Sequence, residues 1–270
     1  MNDISQSIFE LNHLDTLAEQ NQWMNRRHPL VKLLLTLFYI ILVVSFHKYD
    51  LMGLLAMMAY PLIVFNLSEL SFRKSIYRLR YILPLVCIIG LVNPLFDKEM
   101  VLVMGLVLRG GIISMITLIL KGIFTVLAVY LLIATTTIEK ICGALRLLHM
   151  PKIMVTQIML TYRYIFLLLR EVERLTTSYQ LRAPGQKGIH FKVWGSMVGM
   201  LLLRSIDRSE GVYNSMLLRG YDGNFNYVNR KMAMVQTDWI YLIFWLIILI
   251  LLRIFPVIQL LSGFFLHLFG

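Results

Sequence analysis

Residues 30–46, 51–67, 81–96, 101–135 and 239–252 are apolar runs, and they restrict this chain more than any other feature of it. Hydrocarbon offers no water to unpaired N–H and C=O groups, so a spanning segment must satisfy its backbone internally, which a helix does. With 58% hydrophobic and only 15% charged residues, the chain belongs in a bilayer. The expected fold is an all-α polytopic membrane protein with about five transmembrane helices. Residues 257–269 are short for a span and could form a sixth, a re-entrant piece or a continuation of the fifth.

The charge pattern orients these runs. Net charge is +11, and in a membrane protein basic residues first mark cytoplasmic loops, which makes nucleic-acid binding the weaker reading. Residues 1–28 end in Arg26, Arg27 and His28 against the first run, placing the N-terminus in the cytoplasm. This segment lacks the short apolar run and cleavage site of a signal peptide, so the first span is expected to be retained. Lys32 can snorkel to the nearby interface. Residues 51–67 form the second expected span and 81–96 the third, with Pro84 and Pro94 near its ends. In 101–135, a short hydrophobic segment and a break at Arg109, Gly110 and Gly111 precede a fourth span that contains Lys121. A lysine in the membrane is a functional candidate by default, but one packed in a bundle is the simpler account, and Lys121 receives no role.

Residues 136–236 differ in character. Charges recur every few positions, so this is read as a cytoplasmic helical region between a membrane block at 29–135 and a C-terminal membrane segment at 237–270. Residues 153–182 are amphipathic, with Thr156, Arg163, Arg170 and Arg174 on one face and Met154, Ile158, Ile165, Leu169, Val172 and Tyr179 opposite. Pro184 and Gly185 stop this helix. A second helix from about 191 to 219 places Arg204, Arg208, Gly211, Ser215 and Arg219 on one face and Leu202, Ile206, Tyr213 and Leu217 on the other. Gly220 stops it.

Catalytic chemistry finds little footing. His13, His28, His47, His149, His190 and His267 are scattered without metal-ligand spacing, and Cys87 and Cys142 have no CxxC partner. No phosphate loop, nucleophile elbow or dinucleotide fingerprint occurs, so neither a metal nor a cofactor is expected in this chain. Glu171 and Glu173 flank Arg170 and Arg174, and Asp207 and Glu210 flank Arg208, the pattern of a solvated, ion-paired helix face.

Three regions together resemble the transmembrane T component, of CbiQ or EcfT type, of energy-coupling factor transporters, a branch of the ABC transporters. HPLVKLLLT at 28–36, with Val43, Val44, Ser45 and Phe46 after it, is similar to the first span of cobalt-type members. YRYIFLLLREVERL at 162–175 resembles the helix leading to the family's first coupling motif, and LLRSIDRSEGVYNSMLLRGYDG at 202–223 is the best match. The resemblance implies a non-catalytic subunit. Its two cytoplasmic helices would seat in grooves of two CbiO-type ATPase subunits and relay their closure to a substrate-binding membrane subunit, of CbiM/CbiN type if the substrate is cobalt.

Arg182, Arg219 and Gly220 then fall at the ATPase-coupling positions, supported by Arg170, Arg174, Arg204 and Arg208 on the helix faces. Ala183 replaces the glycine of the first signature and Leu218 the alanine of the second, which leaves the arginines as the transferable positions. An arginine at a helix end can bind a carboxylate by two parallel hydrogen bonds, and a glycine after it lets the chain turn away. Losing such a pair would cost about 2–5 kcal/mol of binding. If the arginines only complement helix dipoles, each contributes about 0.3–1 kcal/mol. Nickel or a vitamin is the alternative substrate. Rival readings are a stand-alone enzyme or channel using Arg109 and Lys121 on an anionic substrate, and helices that merely lie on anionic lipid.

Overall fold

The computed structural model describes residues 15–20, 22–69, 83–96, 100–103, 106–186, 188–221 and 234–254. Within them the chain forms α1 (Pro29–Val44), α2 (Leu51–Ala56), α3 (Ala59–Leu67), α4 (Leu83–Phe96), β1 (Met100–Val103), β2 (Leu106–Arg109), α5 (Gly110–Thr135), α6 (Ile138–Leu147), α7 (Lys152–Arg182), α8 (Phe191–Leu218) and α9 (Gln236–Ile254). The architecture is all-α and polytopic, with one small hairpin. Residues 257–269, the expected marginal span, lie outside the described residues.

Among the described residues, three helices are long and apolar enough to cross a membrane: α5, α7 and α9. Helix α1 and the α2–α3 stretch are shorter apolar helices. That α7 meets this test differs from the expectation for residues 136–236, and the reason lies in its first half, where Ile153, Val155, Ile158, Leu160, Ile165, Phe166 and the leucines from Leu167 to Leu169 outweigh Lys152 and Arg163.

The chain divides into two compact units, Met1–Leu17 with Ile138–Lys231 and Ala18–Thr137 with Met232–Gly270. In the latter, α5 packs against α1, α2, α3 and α4, and α9 packs on α1. Val31, Leu35, Tyr39 and Val43 recur every four residues along α1 and are fully buried, while Leu37, Ile41 and Val44 face outward. Such a stripe buries one helix face and leaves the other for lipid. Tyr39 stacks on Tyr60 at 4.6 Å, and Tyr60 meets Trp245 edge-on at 4.9 Å, so aromatic rings link α1, α3 and α9 through the core.

Helix starts and stops follow local chemistry. Pro29 fits the first turn of α1, where its missing N–H costs nothing, and the His28 imidazole accepts from the Leu30 N–H at 3.2 Å. The second apolar run is not one helix but breaks at Met57 and Met58, whose N–H groups turn back to Leu54 and Leu55 in a tight, 3₁₀-like turn. Pro61 explains the break, since it has no N–H to give the Met57 carbonyl one turn before it. The short hydrophobic segment expected after residue 100 is the β1–β2 hairpin, paired antiparallel from Met100↔Arg109 to Val103↔Leu106, and α5 begins directly at Gly110.

Two lysines, Lys32 buried and Lys121 half-buried, close helix ends. Lys32 does not snorkel to an interface: it is buried and donates to the Thr135 carbonyl at the C-terminus of α5, at 2.7 Å. In return Lys121 of α5 donates to the Val44 and Phe46 carbonyls at the end of α1, at 3.0 and 2.5 Å. Arg253 reaches the Ser45 carbonyl at 3.0 Å and lies over the Phe46 ring. A helix leaves its last carbonyls unpaired and its C-terminus partially negative, so cations stabilise this position on both counts. At the start of α9, buried Asp238 pairs with Arg27 at 3.4 Å, and Arg27 also lies 4.1 Å over Trp23.

Candidate functional site

In the unit formed by residues 138–231 and the N-terminal segment, α6 packs on α7 and the Tyr162 hydroxyl donates to Asp15 at 2.5 Å. Helix α8 has no buried residue along its whole length. Val193, Met197, Leu201, Ser205, Val212 and Met216 form its half-buried row, while Trp194, Val198, Leu202, Ile206, Tyr213 and Leu217, one residue further on at each step, form an exposed apolar row. The row that the 3.6-residue period assigns to the apolar face is therefore open.

Arg219 caps the C-terminus of α8. The Gly220 N–H returns to the Leu217 carbonyl at 2.9 Å and the Tyr221 N–H to the Met216 carbonyl at 3.0 Å, the paired bonds of a Schellman ending. Gly220 has φ +83°, and open space surrounds it, so backbone conformation alone selects glycine here. The effect is to turn the chain off the helix directly after Arg219 and leave that residue at a blunt tip.

Arg182 ends α7 in another way. Ala183 closes the helix by donating to the Tyr179 carbonyl at 3.0 Å and has φ −127°, an ordinary value for any L-residue. The left-handed turn comes at Gly185, φ +92°. Position 183 therefore needs no glycine, and the residue that does is two positions further on.

Arg182 and Arg219 are both exposed, and neither guanidinium has a hydrogen-bond or ion-pair partner among the described residues. Each follows a leucine standing far out in solvent, Leu181 at 79% and Leu218 at 90% exposure. Sequence reasoning treated Leu218 only as a departure from the signature's alanine and gave neither leucine a role. The signal was present in the repetition of Leu-Arg at both helix ends.

Of the supporting residues, Arg170 and Arg208 are exposed and make no ion pair among the described residues, so the expected pairing of Arg208 with Asp207 and Glu210 is not formed. These neighbours on α8 point around the helix rather than at one another, since side chains meet at three- or four-residue spacing. Arg204 instead reaches across to Glu171 of α7, which also lies 3.8 Å from Arg174. Beyond this tie, the Tyr179 hydroxyl donates to the Gln186 side-chain oxygen at 2.7 Å and accepts from the His190 N–H at 3.4 Å, which folds the α7–α8 connection onto the last turns of α7.

These contacts fix the directions of the tips. Going from Glu171 to Arg182 and going from Arg204 back to Phe191 both lead to the connection, so Arg219 lies on the opposite side of the crossing. The arms from the crossing are about 16 Å to Arg182 and about 22 Å to Arg219 at ~1.5 Å per residue. The two arginine-bearing helix ends thus lie on opposite sides of one ion pair.

The remaining candidates separate from this site. Lys121 is committed to two carbonyls, and Arg109 is an exposed residue at the end of β2. Among the described residues no three His, Cys, Asp or Glu side chains are grouped to hold a metal.

Apolar helices, three of them long enough to span a bilayer among the described residues, together with an amphipathic helical pair define an all-α membrane protein. The family model described as cobalt transport protein, CbiQ, matches residues 20–232, and the chain belongs to this family. The chain is also 33% identical over 147 residues to an uncharacterized protein of Methanocaldococcus jannaschii, covering 54% of this chain and 50% of that protein. A second uncharacterized protein of the same organism is 30% identical over 105 residues, covering 38% and 36%. The chain thus spans half or less of the length of these relatives.

Proposed function

We propose that this protein is the transmembrane coupling subunit of an energy-coupling factor importer, passing ATP-driven motion from two ATPase subunits to a separate substrate-binding membrane subunit. The observation that carries this reading is the pair of exposed arginines, Arg182 and Arg219, unpartnered among the described residues and set at opposite tips of one crossed helix pair. Each tip offers a bidentate donor for a carboxylate with an apolar leucine beside it, so each ATPase groove should present an acidic residue next to an apolar pocket. The exposed row from Trp194 to Leu217 is the face that a membrane-embedded substrate-binding subunit would cover.

In this reading α7 and α8 lie on the cytoplasmic side with the N-terminus. Arg163, Arg170, Arg174, Glu171 and Glu173 on α7 would be expensive in hydrocarbon, and its apolar positions serve for packing. Cobalt is the substrate that the family description favours; nickel or a vitamin is the alternative, since recognition belongs to the partner subunit. ATP hydrolysis belongs to the ATPases.

The test is the double variant Arg182→Glu, Arg219→Glu, expressed with the neighbouring transport subunits. It should insert in the membrane at the normal level, fail to retain the ATPase subunits on purification, and take up no cobalt. Normal uptake by that variant rejects the coupling role. ATP-independent conductance or turnover by the purified chain alone would instead support the channel or enzyme reading.

A further inference from the structure

We infer that the Glu171–Arg204 ion pair is the pivot that sets the angle between α7 and α8 and so positions the Arg219 tip for coupling; this rests on the function proposed above. The hairpin is tied at its closed end, where Tyr179 holds Gln186 and His190. One tie leaves an angle free. Glu171 of α7, flanked by Arg174 and joined to Arg204, supplies a second tie at the middle of α8.

The lever is long. Phe191 to Arg219 is about 42 Å of helix, so a splay of about 10° about the closed end carries Arg219 by about 7 Å. That displacement is large beside the roughly 1 Å tolerance within which charge-assisted hydrogen bonds form. With no buried residue on α8, packing does little to resist such a splay. Arg204 and Glu171 are therefore positioning residues: they touch neither ATPase nor substrate and act through the placement of Arg219. Arg204 shares its helical stripe with Arg219, but its charge is spent inside the hairpin.

The prediction is read with nitroxide labels at Thr161 and Asn214, both exposed and each ten residues from the ion pair toward the open end, in a cysteine-free chain in lipid nanodiscs. Glu171→Arg and Arg204→Glu, each alone, should shift or broaden the inter-label distance by about 5 Å or more, and the two combined should restore it. Cobalt uptake by the complete transporter should fall at least tenfold in each single variant and recover in the combined one. Unchanged distances in the single variants overturn the pivot, and altered distances with full uptake overturn its role in coupling. Because the distance measurement needs no partner, a wild-type chain that captures no ATPase would remove the coupling reading and leave the pivot standing or falling on its own geometry.

Discussion

The Tyr39 hydroxyl of α1 donates at 3.0 Å to the Met57 carbonyl, the acceptor that Pro61 leaves without its helical N–H partner. The break in the second apolar run is thus stabilised from a neighbouring helix, as freed backbone groups in membrane proteins commonly are. Tyr39→Phe keeps the ring stack on Tyr60 but orphans this buried carbonyl, at a cost of about 1–3 kcal/mol. Thermal unfolding followed by tryptophan fluorescence in detergent should show a midpoint lowered by several degrees. Adding Pro61→Ala returns an N–H to that position and should recover most of the loss; failure to recover would mean that Tyr39 acts through something other than the Met57 carbonyl.

Lys32 and Lys121 exchange the same service between antiparallel α1 and α5, each donating to carbonyls at the other helix's end. Lys121→Met should lower the unfolding midpoint because the Val44 and Phe46 carbonyls lose their donor; the first is exposed and the second part-buried, so the loss is about 1 kcal/mol in all. Uptake per folded molecule should remain near wild type. A variant of normal stability without transport would instead return Lys121 to the substrate path.

Much of this architecture was legible in the sequence, for identifiable reasons. Apolar runs report helices because lipid forbids unpaired backbone, and α7 ends at Arg182 and α8 at Leu218, with Arg219 as its cap, because Pro184, Gly185 and Gly220 do not readily continue a helix. What escaped were relations between distant positions. Nothing near Lys32 names Thr135, nothing near Pro61 names Tyr39, and Arg204 looks like one more member of an arginine stripe until Glu171 is brought beside it. The β1–β2 hairpin was hidden because an eight-residue apolar stretch has no period that separates strand from helix.

Cys142 on α6 offers a chemical check on the packing of that helix. Burial pushes its thiol up from the usual range, and the charge of Glu139 adds to the rise. Less thiolate is then present at a given pH, and the thiolate is the reactive form. In the folded protein at pH 8, maleimide should modify Cys142 much more slowly than in the denatured chain, and the rate should climb as pH rises further. Labelling at the denatured rate would place α6 in the open.

Arg219→Lys separates docking from helix capping. The partial negative charge at the end of α8 requires only a cation, so lysine would preserve a contribution of about 0.3–1 kcal/mol and the helix would be as stable as before. A carboxylate partner requires more, because lysine carries a point charge on a flexible stem and cannot form two parallel hydrogen bonds. If Arg219 docks in an ATPase groove, Arg219→Lys should leave helix content and unfolding midpoint unchanged. Its affinity for the ATPase subunits should fall about tenfold or more, equivalent to about 1.4 kcal/mol. Uptake should fall with it. Gly220→Ala tests the geometry of the same tip: it keeps the guanidinium but places a Cβ at φ +83°, where an L-residue is strained, so the last turn should fray. Equal ATPase affinity for wild type, Arg219→Lys and Gly220→Ala would show that the end of α8 is a helix terminus and nothing more.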